Sequence, residues 1–175
     1  MRLRRGLRRF GRLAETPIRM ERTLYKGFAE LATKYKLSGD GLKVYLTTPG
    51  DLHITTSGVI FESGLDGSEL RINFGDVVGV LTPRFVIAKV GDTLKAYGKE
   101  ALGELGEAAV STALSWLKVE KTLDPIYKLG SIIVHITGTG ALIIKVRDVD
   151  EPLVFLARHV DEVCQSLLEA TQRQK

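Results

Sequence analysis

Side chains able to do chemistry are sparse among these 175 residues, and they stand apart from one another. His53 and His135 fall in β-like runs and His159 in a helical one. None belongs to an HxxxH or HExxH pair or has an acidic partner at ligand spacing, so no zinc or hydrolytic centre is expected. The single Cys164 excludes an internal disulfide and a cysteine zinc site. It lies on an apolar helical stripe and reads as a small buried hydrophobe. Gly138-Thr139-Gly140 lacks the third glycine and the following helix of a dinucleotide loop, and reads as a hairpin turn. No phosphate-binding loop and no GxSxG nucleophile elbow occurs. Asp148, Asp150 and Glu151 form an acidic trio, but acids at a helix start stabilise it without a metal. No catalytic, cofactor-binding or metal residue is assigned, and the chain reads as non-enzymatic.

The charge that exceeds a structural need is at the front. Residues 1–22 hold eight arginines and two acids, a net of six positive charges, whereas the whole chain has 25 Lys and Arg against 21 Asp and Glu. The remainder is therefore mildly acidic. Arg2, Arg4, Arg5, Arg8, Arg9 and Arg12 alternate with Leu3, Leu7, Phe10 and Leu13, which recur at helical spacing. Cations flanking an apolar stripe suit an anionic bilayer surface. At about 1 kcal/mol per charge, six charges give at most ~6 kcal/mol, an association constant on the order of 10⁴ M⁻¹. Nucleic acid would satisfy the same arginines by counterion release, and a protein partner or a solvated tail are further readings. Residues 1–16 are read as a flexible basic leader, and Met20 is an alternative start of translation.

These residues need elements to position them. Thr16 as N-cap and Pro17 at the first position open an expected helix over 17–37, continued by Met20, Leu24, Phe28, Leu31 and Tyr35. From Leu42 the period turns strand-like: 43–47, 52–55, 59–63, 70–74 and 77–81, with 85–90 extending the last beyond Pro83. Pro49-Gly50, Ser57-Gly58 and residues 64–68 read as turns, and such short links imply antiparallel hairpins. Leu94, Tyr97, Ala101, Leu105 and Trp116 fall on one stripe of an expected helix over 92–118. Gly98, Gly103 and Gly106 make that helix dependent on packing, so Tyr97, Ala101, Leu105 and Trp116 are candidates for self-association into a homo-oligomer. Strands over 131–137 and 141–147 then precede a closing helix from Asp150, whose face runs from Leu153 and Leu156 to Leu167 and Leu168, with Phe155 off that face.

Two stretches carry a resemblance. Leu52 to Ser63 with Leu70 to Val80, and Asp124 to Ile132 with Val149 to Pro152, resemble the bacterial pleckstrin-homology-like and GRAM-type families. The resemblance implies an α+β fold: a bent antiparallel sheet of about seven strands, an open barrel, capped by a C-terminal helix. The domain would span 42–172, with the 92–118 helix as an insertion. It implies a non-enzymatic binding or adaptor module for a lipid headgroup, peptide or protein partner. The chain departs from the family in three ways. The turn taken as the first hairpin, Thr47 to Asp51, has only Lys43 nearby, the final helix lacks a tryptophan, and no membrane-spanning segment is present. Phosphoinositide binding is therefore carried to no residue.

The expected function is peripheral attachment at an anionic membrane through the leader, with a self-assembling structural protein and a nucleic-acid-binding protein as alternatives. No apolar run reaches the ~18–20 residues that span a bilayer, and no signal peptide is seen, which suggests the cytoplasm or its membrane face. Asn73 is the only asparagine, a depletion that hints at a thermophilic source.

Overall fold

The computed structural model describes residues 21–38, 41–82, 85–98 and 140–173. They form nine strands and one helix: β1 (Thr23–Ser38), β2 (Gly41–Thr55), β3 (Gly58–Ser63), β4 (Glu69–Asn73), β5 (Val77–Leu81), β6 (Phe85–Val90), β7 (Thr93–Gly98), β8 (Ala141–Val146), β9 (Leu153–Ala157) and α1 (Val160–Gln172). A single antiparallel sheet runs in the order β4-β3-β2-β1-β9-β8-β5-β6-β7. The class is thus a mostly antiparallel sheet with one C-terminal helix. The turns at Ser57 and 64–68, and the strands β3, β4, β5 and β8, lie where the β-rich runs and turn residues of the sequence put them.

Five expectations are overturned. Residues 85–90 do not extend β5 but return antiparallel to it as β6, with Leu81 opposite Val86. The N-terminal helix over 17–37 is instead strand from Thr23 onward. Its apparent helical stripe mixes two faces: Tyr25, Ala29 and Leu31 are buried, while Lys26 and Phe28 face outward, a period of two. The ladder with β2 from Thr23↔Thr55 to Ser38↔Gly41 outweighs the local helical spacing. Residues 16–20 lie outside the described residues.

The Pro49-Gly50 turn is also absent, because β2 runs straight through it. Proline is tolerated there because the Pro49 carbonyl accepts from Gly64 N, so its missing N–H faces the β3 side, beyond the last β2–β3 pair at Gly50↔Ser63.

Residues 93–98 are strand β7 rather than the start of a helix over 92–118. Gly91, at φ 64°, makes the tight Gly91-Asp92 turn that returns β6 onto β7 through Val90↔Thr93. Residues 99–118, and the expected strand over 131–137, lie outside the described residues.

Lastly, the closing helix begins at Val160 rather than Asp150. Leu153 to Ala157 are strand β9, seated between β1 and β8, with Val154 and Phe155 both fully buried. A strand covered on both faces reads as a continuous apolar run, which mimics a helix start. Asp161 and Glu162 supply the favourable charge at the true N-terminus.

The sheet curls strongly. β4 and β5 are six strand intervals apart, roughly 29 Å if flat. Only Phe74–Asp76, one 3₁₀ turn, joins Asn73 to Val77, and four Cα steps span at most about 14 Å. The two halves meet at this turn: Phe74 N donates to Ser57 O at 2.9 Å, and Arg147 N donates to Asp76 O at 2.8 Å.

Small residues sit at the bend. Ser63, Gly50, Ala29 and Ala157 are directly opposite one another across β3, β2, β1 and β9, and all are buried. A Cβ at Gly50 would overlap the Glu62 carbonyl oxygen and the Phe61 ring. Val163, Cys164, Leu167 and Ala170 of α1 join the core inside the curl, where the helix packs on β1, β2 and β7.

Candidate functional site

α1 follows β9 at the end of the sheet that holds Thr23 and the β2–β3 turn. The opposite end projects an arm. β9 pairs with β1 only from Ala29 to Leu31, and β3 pairs with β2 only up to Gly50. Beyond those points β1 and β2 pair with each other alone, and residues 32–38 extend about 23 Å.

Two offset irregularities twist this arm. Thr33 on β1 and Tyr45 on β2 are each an extra residue, since Ala32↔Thr47 is followed by Lys34↔Leu46 and then Tyr35↔Val44. Thr33 Oγ1 donates to the Leu46 carbonyl at 3.2 Å, which bridges the first irregularity. A two-stranded ribbon is marginal by itself, and this one is tied down. The Tyr35 hydroxyl donates to the carbonyl of Pro152 on the β8–β9 connection. Burial, with the nearby Glu151 carboxylate, pushes the Tyr35 hydroxyl pKa well above its ordinary value. At the arm's base, Thr47 Oγ1 donates to Glu30 Oε1 at 3.0 Å.

The arm is basic. Lys34, Lys36 and Lys43 are exposed, and residues 31–48 hold these three lysines against one acid, Asp40. Lys36 sits directly opposite Lys43, and strand alternation puts Lys34 on the same face as Lys36. Like charges directly opposite destabilise a ladder unless an anion lies between or above them. Among the described residues these three lysines make no ion pair. Apolar surface accompanies the charge. Tyr45 is 60% and Leu46 59% exposed on the arm, and Leu65, 67% exposed, tips the β3–β4 turn at the same end of the sheet.

The first hairpin is therefore not the Thr47 to Asp51 stretch. It is the β1–β2 hairpin, and it carries three lysines rather than one. Sequence reasoning missed this site because Lys34 and Lys36 were assigned to a helix. The alternation of lysine with Tyr35 was the signal that could have found it.

Arg2, Arg4, Arg5, Arg8, Arg9 and Arg12, with Leu3, Leu7, Phe10 and Leu13, lie outside the described residues, as do Ala101, Leu105 and Trp116. Tyr97 lies opposite Val86 on β7, which has one neighbour, β6, among the described strands. The described chain starts beside β4: Glu21 accepts from Arg71 Nη1 at 2.7 Å and from the Ser57 hydroxyl. Burial alone would raise the Glu21 pKa, but the hydrogen bonds from Ser57 and Arg71 and the Arg71 charge hold it below the ordinary value.

His53 Nε2 lies 3.4 Å from Glu62 Oε2 without a hydrogen bond between them. Among the described residues, no group of His, Cys, Asp and Glu is arranged to hold a metal ion. No helix among them is long and apolar enough to cross a membrane. No family model, no curated protein and no solved structure matches the chain.

Proposed function

We propose that this protein is a non-enzymatic, pleckstrin-homology-like binding module that attaches peripherally to an anionic membrane surface, on the cytoplasmic face. The observation that carries the reading is the arm: Lys36 opposite Lys43, with Lys34 on their face and exposed Tyr45 and Leu46 beside them. Three lysines contribute about 3 kcal/mol near an anionic bilayer, on the same footing as the leader arginines. Tyr45 and Leu46 add apolar burial at ~25 cal/mol per Å². A nucleic acid would use the lysines but gives Leu46 no comparable apolar medium. The pleckstrin-homology-like reading is supported by the curled sheet, the helix at one end and the first hairpin at the other.

Co-sedimentation of the full chain with phosphatidylserine-containing and pure phosphatidylcholine vesicles tests this. Binding to the anionic vesicles is expected. It should fall on deleting residues 1–15, and fall further with Lys34→Gln, Lys36→Gln and Lys43→Gln together. Retention on RNA with no retention on either vesicle would instead favour the nucleic-acid reading. A concentration-dependent oligomer without vesicle binding would favour self-assembly.

A further inference from the structure

Two cations converge on the turn that joins the halves of the sheet. Lys89 Nζ on β6 donates to the Gly75 carbonyl at 3.0 Å, and Arg147 Nη2, just after β8, donates to the same oxygen at 3.4 Å. The two nitrogens therefore lie within two hydrogen-bond lengths of each other. One neutral carbonyl cannot compensate two charges. Among the described residues neither cation has a carboxylate partner, although Asp76 is in the same turn. The backbone fixes the arrangement, because Arg147 N donates to Asp76 O at 2.8 Å.

Space is also available. Nothing lies within 4 Å of the position a Cβ would take at Gly75, and Gly75 has no positive φ that would demand glycine. Neither packing nor backbone conformation requires a glycine here, and its bare backbone leaves the approach to the pair open.

We infer that Lys89 and Arg147 form an oxyanion site across the β4–β5 turn, for a phosphate or phosphomonoester group. The guanidinium fork and the ammonium would each donate to a different oxygen of one phosphate. The Gly75 carbonyl holds both donors in place when the site is empty. The site is separate from the arm and does not depend on it.

The test is a titration of the full-length protein with inorganic phosphate at constant ionic strength, followed through the amide resonances of Gly75, Asp76 and Arg147. Saturable shifts with a dissociation constant on the order of millimolar are expected. Lys89→Met with Arg147→Gln should weaken it about tenfold or more. Gly75→Asp, which has room for its side chain, should do the same by supplying an internal carboxylate. Lys36→Gln with Lys43→Gln should leave it unchanged. Absence of saturable shifts in the unmodified protein, or an affinity in the Lys89/Arg147 and Gly75 variants equal to that of the unmodified protein, would overturn the inference.

Vesicles containing phosphatidic acid, compared with phosphatidylserine vesicles of matched charge, then identify the source. A preference for phosphatidic acid that the Lys89/Arg147 variant loses marks a lipid headgroup. Free phosphate bound without that preference marks a soluble phosphate ester.

Discussion

The ring of Phe61 on β3 meets the ring of Phe155 on β9 at 5.7 Å between centroids, tilted by 53°. Two strands separate them in the sheet, so a flat sheet would hold their backbones about 14 Å apart. The contact exists because Gly50 and Ala29, on the intervening strands, leave the concave face clear at the bend. The aromatic pair fastens the curl, and the curl leaves the arm projecting at the end away from α1.

This pair should dominate stability. Phe155→Ala is expected to cost about 3–5 kcal/mol, as for other buried aromatic truncations. Gly50→Ala should cost about 1–3 kcal/mol by forcing the Phe61 ring and the Glu62 carbonyl away. Chemical denaturation of both variants measures this, and a near-neutral Gly50→Ala would contradict the packing at the bend.

The arm's anchor is a single hydroxyl. Tyr35→Phe removes the bond to the Pro152 carbonyl and should cost about 1 kcal/mol. Amide hydrogen exchange should quicken in residues 34–36 and 42–46 far more than in β8.

Like charge on the arm gives two effects of opposite sign. Replacing Lys36 and Lys43 together by threonine should raise stability by about 0.2–1 kcal/mol, since it relieves repulsion directly across the ladder. The same protein should bind anionic vesicles more weakly. Unchanged or stronger vesicle binding would exclude a functional role for the pair.

Glu21 ties the start of the described chain to β4, and its folded pKa is lowered. Its contribution is therefore present above the unfolded carboxylate pKa and is lost as pH falls through the lower folded value. Protease access around residues 21–23 should rise in acid before the sheet unfolds. Arg71→Gln should weaken that pH dependence, since the Ser57 hydroxyl still donates to Glu21, and should raise access to the segment at neutral pH.

The legible parts of the fold were those bounded by local turn residues. Val59 to Ser63 and Leu70 to Asn73 alternate with one face buried, and Ala141 to Val146, buried on both faces, is marked off by Gly140 and the polar turn from Arg147. β1 was hidden because Leu24, Phe28, Leu31 and Tyr35 fall at helical steps, although the ladder to β2 assigns them to different faces. β9 was hidden because a strand buried on both sides loses its alternation. The curl itself is a property of Gly50, Ala29 and Ala157 acting across three strands, which no local window contains. The lysine pair and the Lys89–Arg147 pair share this origin: each joins residues of different elements that come together only on folding.

The most direct test places an environment-sensitive fluorophore on Leu46→Cys, since the native Cys164 is buried and does not compete for the label. Adding phosphatidylserine vesicles should shift the emission to the blue, and the shift should reverse with salt. Co-sedimentation with the same vesicles without any spectral change would show that the arm is not the contact, and would contradict the account.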